Sequence, residues 1–297
     1  FVTDLYPCTD SDSVYTLKET KAPPGYALDE TVYKLTTGYS HYSNAENAFN
    51  VTVSDQVIQG TIQLDKRAVN TVSGVKQPEQ GATFQVWLKS AGSYEKAKAA
   101  ERDVIIIGED GKGASKNLPY GVYCIRQISG WEGYDMDETI YEAAITTQGE
   151  TVTKDVNKDD LAIENNIWLG TLSILKVDGD TREPLAGAEF TLTGSDGSKV
   201  TLETDSAGKA EFSDLVYGVD YTWTETKAPK GYLLDEANTG TWSVTKHDDS
   251  VEITCEDYRR PGSITVTKQN ADSEPLPGAV FLLEYWDGSA WKPVTGR

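Results

Sequence analysis

The sequence predicts a tandem array of all-β sandwich domains, and three observations carry that prediction. First, one phrase recurs. Tyr15–Glu30 reads YTLKETKAPPGYALDE and Tyr221–Glu236 reads YTWTETKAPKGYLLDE, identical at twelve of sixteen positions. A diverged copy, YCIRQISGWEGYDMDE, spans Tyr123–Glu138. Starts at 15, 123 and 221 set a repeat of about 100 residues, the size of a small domain. Second, Thr, Val, Tyr and Gly are abundant and strand-like alternation dominates. Helix-favouring sequence is confined to Tyr94–Arg102 (YEKAKAAER), where a short helix is expected. Third, turn phrases such as GSDGS from Gly194 and DSAG from Asp205 punctuate the alternating segments, as in a sandwich.

Each repeat opens with the same strand: GTIQLDK ends at Lys66, GTLSILK at Lys176 and GSITVTK at Lys268. A polar loop follows, then a second shared phrase at Gly81 (GATF), Gly187 (GAEF) and Gly278 (GAVF). LPYGVY from Leu118 and LVYGVDY from Leu215 lead into the recurring signature. These landmarks divide the chain into four parts: 1–59, the C-terminal half of a repeat; 60–169 and 170–261, complete repeats; and 262–297, the N-terminal half of another. The junctions are short, so the array is expected to be stiff rather than flexibly tethered.

Strand alternation places residues i, i+2 and i+4 on one face. In the opening strands Ile62 and Leu64 share a face with Lys66, Leu172 and Ile174 with Lys176, and Ile264 and Val266 with Lys268. In the signature strands Tyr15 and Leu17 share a face with Glu19, and Tyr221 and Trp223 with Glu225. In the closing strands Phe49, Val51 and Val53 lead to Asp55, Leu161 and Ile163 to Asn165, and Val251, Ile253 and Cys255 to Asp257. Asp55, Asn165 and Asp257 each lie five residues before the Gly that opens the next repeat. Every repeat thus aims a Lys, a signature-strand polar residue and an Asp or Asn at its own interior.

Burying charged, unpaired groups costs several kcal/mol each. Burial is expected to push the Lys pKa down and the carboxyl values up. A neutral amine beside a protonated carboxyl or a carboxamide is a nucleophile facing an electrophile, and a neighbouring Glu can carry the proton. The product would be an amide between side chains. For any single Lys the alternative is an ordinary salt bridge or snorkelling from a strand end. The same parity in three strands, with acceptors at a fixed offset, favours the chemical reading for 170–261.

Composition narrows the function. Forty-seven acidic against 27 basic side chains give a net charge of -20, which argues against nucleic acid and anionic membranes. No apolar run approaches the ~20 residues needed to span a bilayer. With no initiator Met, signal peptide or sorting signal evident, the chain reads as an interior piece of a longer protein. Cys8, Cys124 and Cys255 are too few for a disulfide framework. With only His41 and His247 they form no zinc spacing. Cys255 is expected to face the core, whereas Cys124, of opposite parity, is expected to be exposed and reactive. The Asp10 (DSDS) and Asp178 (DGDT) loops resemble calcium loops only loosely and read as solvated turns. Asn50-Val51-Thr52 matches a glycosylation sequon but falls in an expected strand. Trp286 and Trp291 could bind sugar, with hairpin packing the favoured alternative. No metal or cofactor is expected, and no nucleophile–His pairing supports a hydrolase.

The ETKAPxGY signature, the strand ending in Lys and the GAxF phrase together resemble the collagen-adhesin B-type (Cna B-like) and SpaA-type pilin domains of Gram-positive surface proteins. The likeness covers nearly the whole chain. It implies a transthyretin-like (prealbumin-like, inverse Ig-type) seven-stranded sandwich with a Lys–Asp or Lys–Asn isopeptide bond promoted by the signature Glu. Carried over, Lys176 and Asp257 would be cross-linked with Glu225 as promoter. Glu19 and Asp55 would need a Lys from before residue 1, and Lys268 would need partners beyond the last residue. In the middle repeat Lys66 and Asn165 are present, but Gln127 replaces the Glu and Gly130-Trp131 replaces Ala-Pro. Gln cannot shuttle a proton, so Lys66 and Asn165 are expected to stay unlinked or to link slowly, unless a carboxylate from elsewhere in the fold substitutes. The implied role is a non-enzymatic, extracellular, cell-wall-attached stalk whose partners are its own neighbouring repeats. The alternative is a module binding a host extracellular-matrix protein or glycan.

Overall fold

The computed structural model describes residues 13–37, 51–158, 160–286 and 288–294. Cys8, Asp10, His41, Phe49 and Asn50 lie outside them, and with them the N-terminal calcium-like loop and the sequon asparagine. Of the first segment, β1 (Ser13–Lys18) and β2 (Val32–Thr37) form an antiparallel pair. The closing strand expected over 51–55 does not form; an isolated bridge joins Tyr26 to Val57 instead. In the complete repeats that strand pairs with the opening strand, and the described residues of 1–59 contain no counterpart of it.

The middle repeat contains β3 (Gln59–Val69), β4 (Lys76–Pro78), β5 (Thr83–Leu88), β6 (Arg102–Ile106), β7 (Lys112–Ala114), β8 (Leu118–Pro119), β9 (Gly121–Ser129), β10 (Ile140–Ile145), β11 (Thr151–Val152) and β12 (Ala162–Asn166). One sheet runs β10-β9-β5-β6. The other is organised on β3, which pairs antiparallel with β4, β7 and β8 and parallel with β11 and β12. Alternation in β3 sends Ile62, Leu64 and Lys66 inward, all 0% exposed. They meet Phe84, Val86, Ile105, Tyr123, Ile125 and Ile163 from the other strands.

The helix expected over Tyr94–Arg102 is reduced to a turn at 94–96 and one 3-10 turn at Ala99–Glu101. Arg102 explains this. Its Nη1 donates to the carbonyls of Tyr94 and Glu95 (2.9 and 3.3 Å), acceptors an α-helix would use itself. The segment lies over the outer face of the sheet, where Ala97 packs with Trp87 and Cys124. Cys124 is therefore buried, not exposed and reactive as its parity suggested, and burial raises its thiol pKa.

The next repeat is built from β13 (Leu169–Asp178), β14 (Glu189–Gly194), β15 (Lys199–Glu203), β16 (Lys209–Val216), β17 (Tyr221–Lys227), β18 (Thr239–Trp242) and β19 (Asp249–Asp257). Its sheets are β16-β13-β19 and β15-β14-β17-β18. The first and last strands, β13 and β19, run parallel in register from Gly170↔Asp249 to Asp178↔Asp257. Leu172, Ile174, Phe190, Leu192, Phe212, Tyr221, Trp223 and Cys255 fill the core. Burial pushes the Cys255 thiol up to about 12, so this residue is inert packing. Asp178 is no solvated turn. Its carboxylate is buried and accepts from the Asp180 and Thr181 amides, the Tyr232 hydroxyl and Arg259 Nε, which hold its pKa well below the usual range.

In the last segment β20 (Glu284–Trp286) and β21 (Trp291–Pro293) form a hairpin. Trp286 and Trp291 pair edge-to-face across it at 5.6 Å. Ile264, Val266, Phe281 and Leu282 remain exposed.

A common device recurs where repeats meet. The Ile58 amide donates to the Gly25 carbonyl, and the Tyr120 amide to the Ile58 carbonyl (2.9 and 2.8 Å). One repeat later, Trp168 donates to Gly133 and Tyr217 to Trp168 (2.8 and 3.0 Å). Gly133, at φ +83°, leaves room for the Tyr217 ring: a Cβ there would lie 1.9 Å from ring carbon Cδ1. Tyr217 also packs edge-on against Trp168 at 5.6 Å.

Candidate functional site

In the 170–261 repeat the sequence-selected residues converge. Lys176 reaches inward from β13 because it continues the Leu172–Ile174 face. Glu225 comes from β17 in the opposite sheet, below Tyr221 and Trp223. Asp257 ends β19, and the parallel register sets it beside Asp178, two residues past Lys176 and on the same inward face. Lys176 Nζ lies 2.6 Å from Asp257 Oδ1 and donates to Glu225 Oε2 at 2.7 Å. All three side chains are fully buried, and the Phe190 ring lies 5.8 Å from the amine. Burial is the main influence on Glu225 and raises its pKa to about 7, against the opposing pull of Lys176. Asp257 Oδ2 and Glu225 Oε1 are buried without a hydrogen-bond partner.

Asn238, which sequence reasoning missed, ties the site together. Its Nδ2 donates to Glu225 Oε2 at 2.7 Å and to Asp257 Oδ1 at 3.2 Å. Asn238 lies two residues past the signature, where the other copies have Val32 and Ile140, so no pattern marked it.

The middle repeat holds a second buried cluster of different composition. Asn165 lies beside Ala68, again two residues past the Lys in a parallel register. The carboxylate that meets Lys66 is Glu79, absent from the sequence-derived set. Glu79 Oε2 is 2.9 Å from Lys66 Nζ, and both side chains are 0% exposed. Asn165 Nδ2 donates to Glu79 Oε1 at 3.2 Å, while Asn165 Oδ1 accepts the Asp137 amide at 3.1 Å. Burial lowers the Lys66 pKa, its ion pair with Glu79 notwithstanding. Gln127 is also buried but donates to the Ser129 carbonyl.

Backbone pairing fixes the equivalent of Glu79 elsewhere. The Glu79 amide bonds the Lys66 carbonyl, as Leu185 does to Lys176 and Leu276 to Lys268. A carboxylate at a place that is Leu in the other repeats was the available signal.

The remaining candidates are not brought together. Glu19 is half-buried and accepts the Asp29 amide at 2.8 Å. Asp55 is half-buried outside any strand, and Lys268 is exposed.

A family model described as the SpaA prealbumin-like fold domain matches residues 60–160 and again 170–259. The chain belongs to the SpaA prealbumin-like family. Its two complete repeats are SpaA domains in tandem. Among curated relatives, a collagen adhesin of Staphylococcus aureus is 30% identical over 127 residues, covering 40% of this chain and 10% of the adhesin. Among solved structures, the Bacillus anthracis TIE protein superposes with a TM-score of 0.62 at 25% identity. That match covers 84% of this chain and 42% of the TIE protein. The SpaA repeats here thus span a minor part of both relatives.

Proposed function

We propose that this chain is a stalk segment of a Gram-positive surface adhesin or pilin-like protein, with 170–261 locked by an isopeptide bond between Lys176 and Asp257. The observation that carries this reading is the fully buried Lys176 amine between Asp257 and Glu225. With the amine neutral and Asp257 protonated, Nζ attacks Cγ. The Nζ–Cγ bond forms, the Cγ–O bond to the departing hydroxyl breaks, and water leaves. Glu225, titrating near neutrality, takes the proton from Nζ and returns it to the leaving oxygen. The reaction runs once and is not turnover. The parts 1–59, 60–169, 170–261 and 262–297 are proposed as the structural units, and neighbouring repeats as the chief partners. Surface location follows from the SpaA family and the adhesin relative.

The bond suits a load. It encloses residues 177–256, a loop on the order of 80 residues, worth ~4–5 kcal/mol through the unfolded state by analogy with disulfides. Binding of a matrix protein, suggested by the relative's name, is the second reading. A cleft of about 680 Å³ beside β18 and β19 contains Trp242 and Asp249. The Asp249 carboxylate, however, is already taken by the Thr245 amide and hydroxyl, so the stalk is preferred.

Peptide mapping of the full chain tests the reading. A Lys176–Asp257 cross-linked peptide lighter by about 18 Da, one water, is expected in the parent. It should be missing from Glu225→Ala. Separate, full-mass peptides in the parent would sink the proposal.

A further inference from the structure

We propose that Glu79 is the catalytic residue of a second isopeptide site, joining Lys66 to Asn165, in place of the signature glutamate that Gln127 has replaced. This inference rests on the stalk reading above and reverses the expectation that the middle repeat stays open.

The geometry gives Glu79 both ends of a proton transfer. One carboxylate oxygen faces the Lys66 amine at 2.9 Å and the other the Asn165 carboxamide nitrogen at 3.2 Å. The Asp137 amide points at Asn165 Oδ1 from 3.1 Å, where negative charge would grow. Lys66 Nζ as the neutral amine attacks Asn165 Cγ. The Nζ–Cγ bond forms and the Cγ–Nδ2 bond breaks. Glu79 takes a proton from Nζ and passes it to Nδ2, which leaves as ammonia. Glu79 ends as it began, and nothing is oxidised or reduced.

Three departures from the signature then share one cause. A Cβ at Gly130, where the other copies have Ala22 and Ala228, would sit 2.6 Å from Glu79 Oε1, 2.8 Å from Gln127 Nε2 and 3.0 Å from Asn165 Nδ2. Glycine is what lets the displaced carboxylate in. Trp131 stands where the other copies have Pro23 and Pro229, and its amide donates to Glu79 Oε1 at 2.7 Å. Proline has no N–H to give. Gln127 leaves one carboxylate rather than two in a dry pocket, where two would repel. An ordinary Lys66–Glu79 salt bridge would draw on the same three changes, but it gives no reason for the Asn165 carboxamide to be held with its nitrogen on Glu79 and its oxygen on the Asp137 amide.

Peptide mapping of the full chain decides the matter. The parent should yield a Lys66–Asn165 cross-linked peptide lighter by about 17 Da, one ammonia, than its two components. Glu79→Gln should close at least about a hundredfold more slowly, leaving those peptides separate. The exchange variant Glu79→Gln/Gln127→Glu keeps the net charge and returns a carboxylate from the family's usual place, so it should regain the bond. An unlinked parent, a bond persisting in Glu79→Gln, or an exchange variant without the bond would each overturn the proposal. The Lys176–Asp257 peptide in the same digests is the internal reference. Its loss in the parent counts against the stalk reading, whereas loss of the Lys66 link alone counts only against Glu79.

Discussion

At the scale of the residue, the two buried clusters solve one problem with different parts. A lysine amine kept from water needs a proton acceptor close enough to relieve it, and the acceptor must itself tolerate burial. Glu225 tolerates it by titrating near 7. Its folded pKa is raised above its unfolded value, so its stabilising contribution is complete below about pH 4.5 and is lost as pH rises through about 7. In unlinked Asp257→Ala, thermal stability should therefore fall between pH 5 and pH 8 by on the order of a few kcal/mol. Adding Glu225→Gln should flatten that fall, and an equal slope in both variants would show that Glu225 does not titrate there. Lys66, Lys176, Glu225, Asn165 and Asp257 were legible in the sequence because strand parity is arithmetic. Glu79 and Asn238 were not, because both come from connections whose side-chain direction no alternation dictates.

At the scale of the element, the important pairing is β13 with β19. Parallel first and last strands put entry and exit at opposite ends, so a pull on the chain shears them along their length. A bond between Lys176 and Asp257 passes that load across one amide, leaving residues 177–256 slack. In single-molecule pulling, the parent repeat should show no unfolding step. Lys176→Ala should release about 80 residues, or ~280 Å at ~3.5 Å each. A full-length step in the parent would mean the load is not diverted. The opening and signature strands could be read from the sequence directly. The closing strand of the middle repeat could not be read whole, because the chain leaves the β3 edge after β11, at 153–158, and rejoins it at Leu161, whose carbonyl accepts the Asp65 amide. There Asp155 accepts the Glu142 and Asn157 amides and holds the excursion. The helix over Tyr94–Arg102 was misread for a similar reason: one arginine side chain outbid the helical ladder for its carbonyls.

At the scale of the molecule, the stiffness expected of the array would rest on the junctions. Tyr217 is the member of the Gly133–Trp168–Tyr217 relay whose ring bridges two sandwiches, and His247 Nδ1 adds a contact 3.0 Å from Asp135. Tyr217→Ala should loosen the joint while leaving both proposed isopeptide bonds in place. Small-angle scattering should then show a wider spread of inter-repeat distances, whereas an unchanged profile would place the stiffness elsewhere. Short linkers and the repeat period were visible in the sequence. That the signature's Gly-Tyr and the next repeat's Tyr-Gly-Val meet was not, since each phrase reads as an unremarkable turn until both are placed in space. The relay consults very little: a glycine, two backbone carbonyls and one aromatic ring. A unit ending in the first phrase meets a following unit carrying the second through these same few groups, with little further surface to co-evolve. Such a chain can gain or shed whole units by recombination and still present a matched seam at every join, so its reach becomes a heritable quantity that changes in discrete steps.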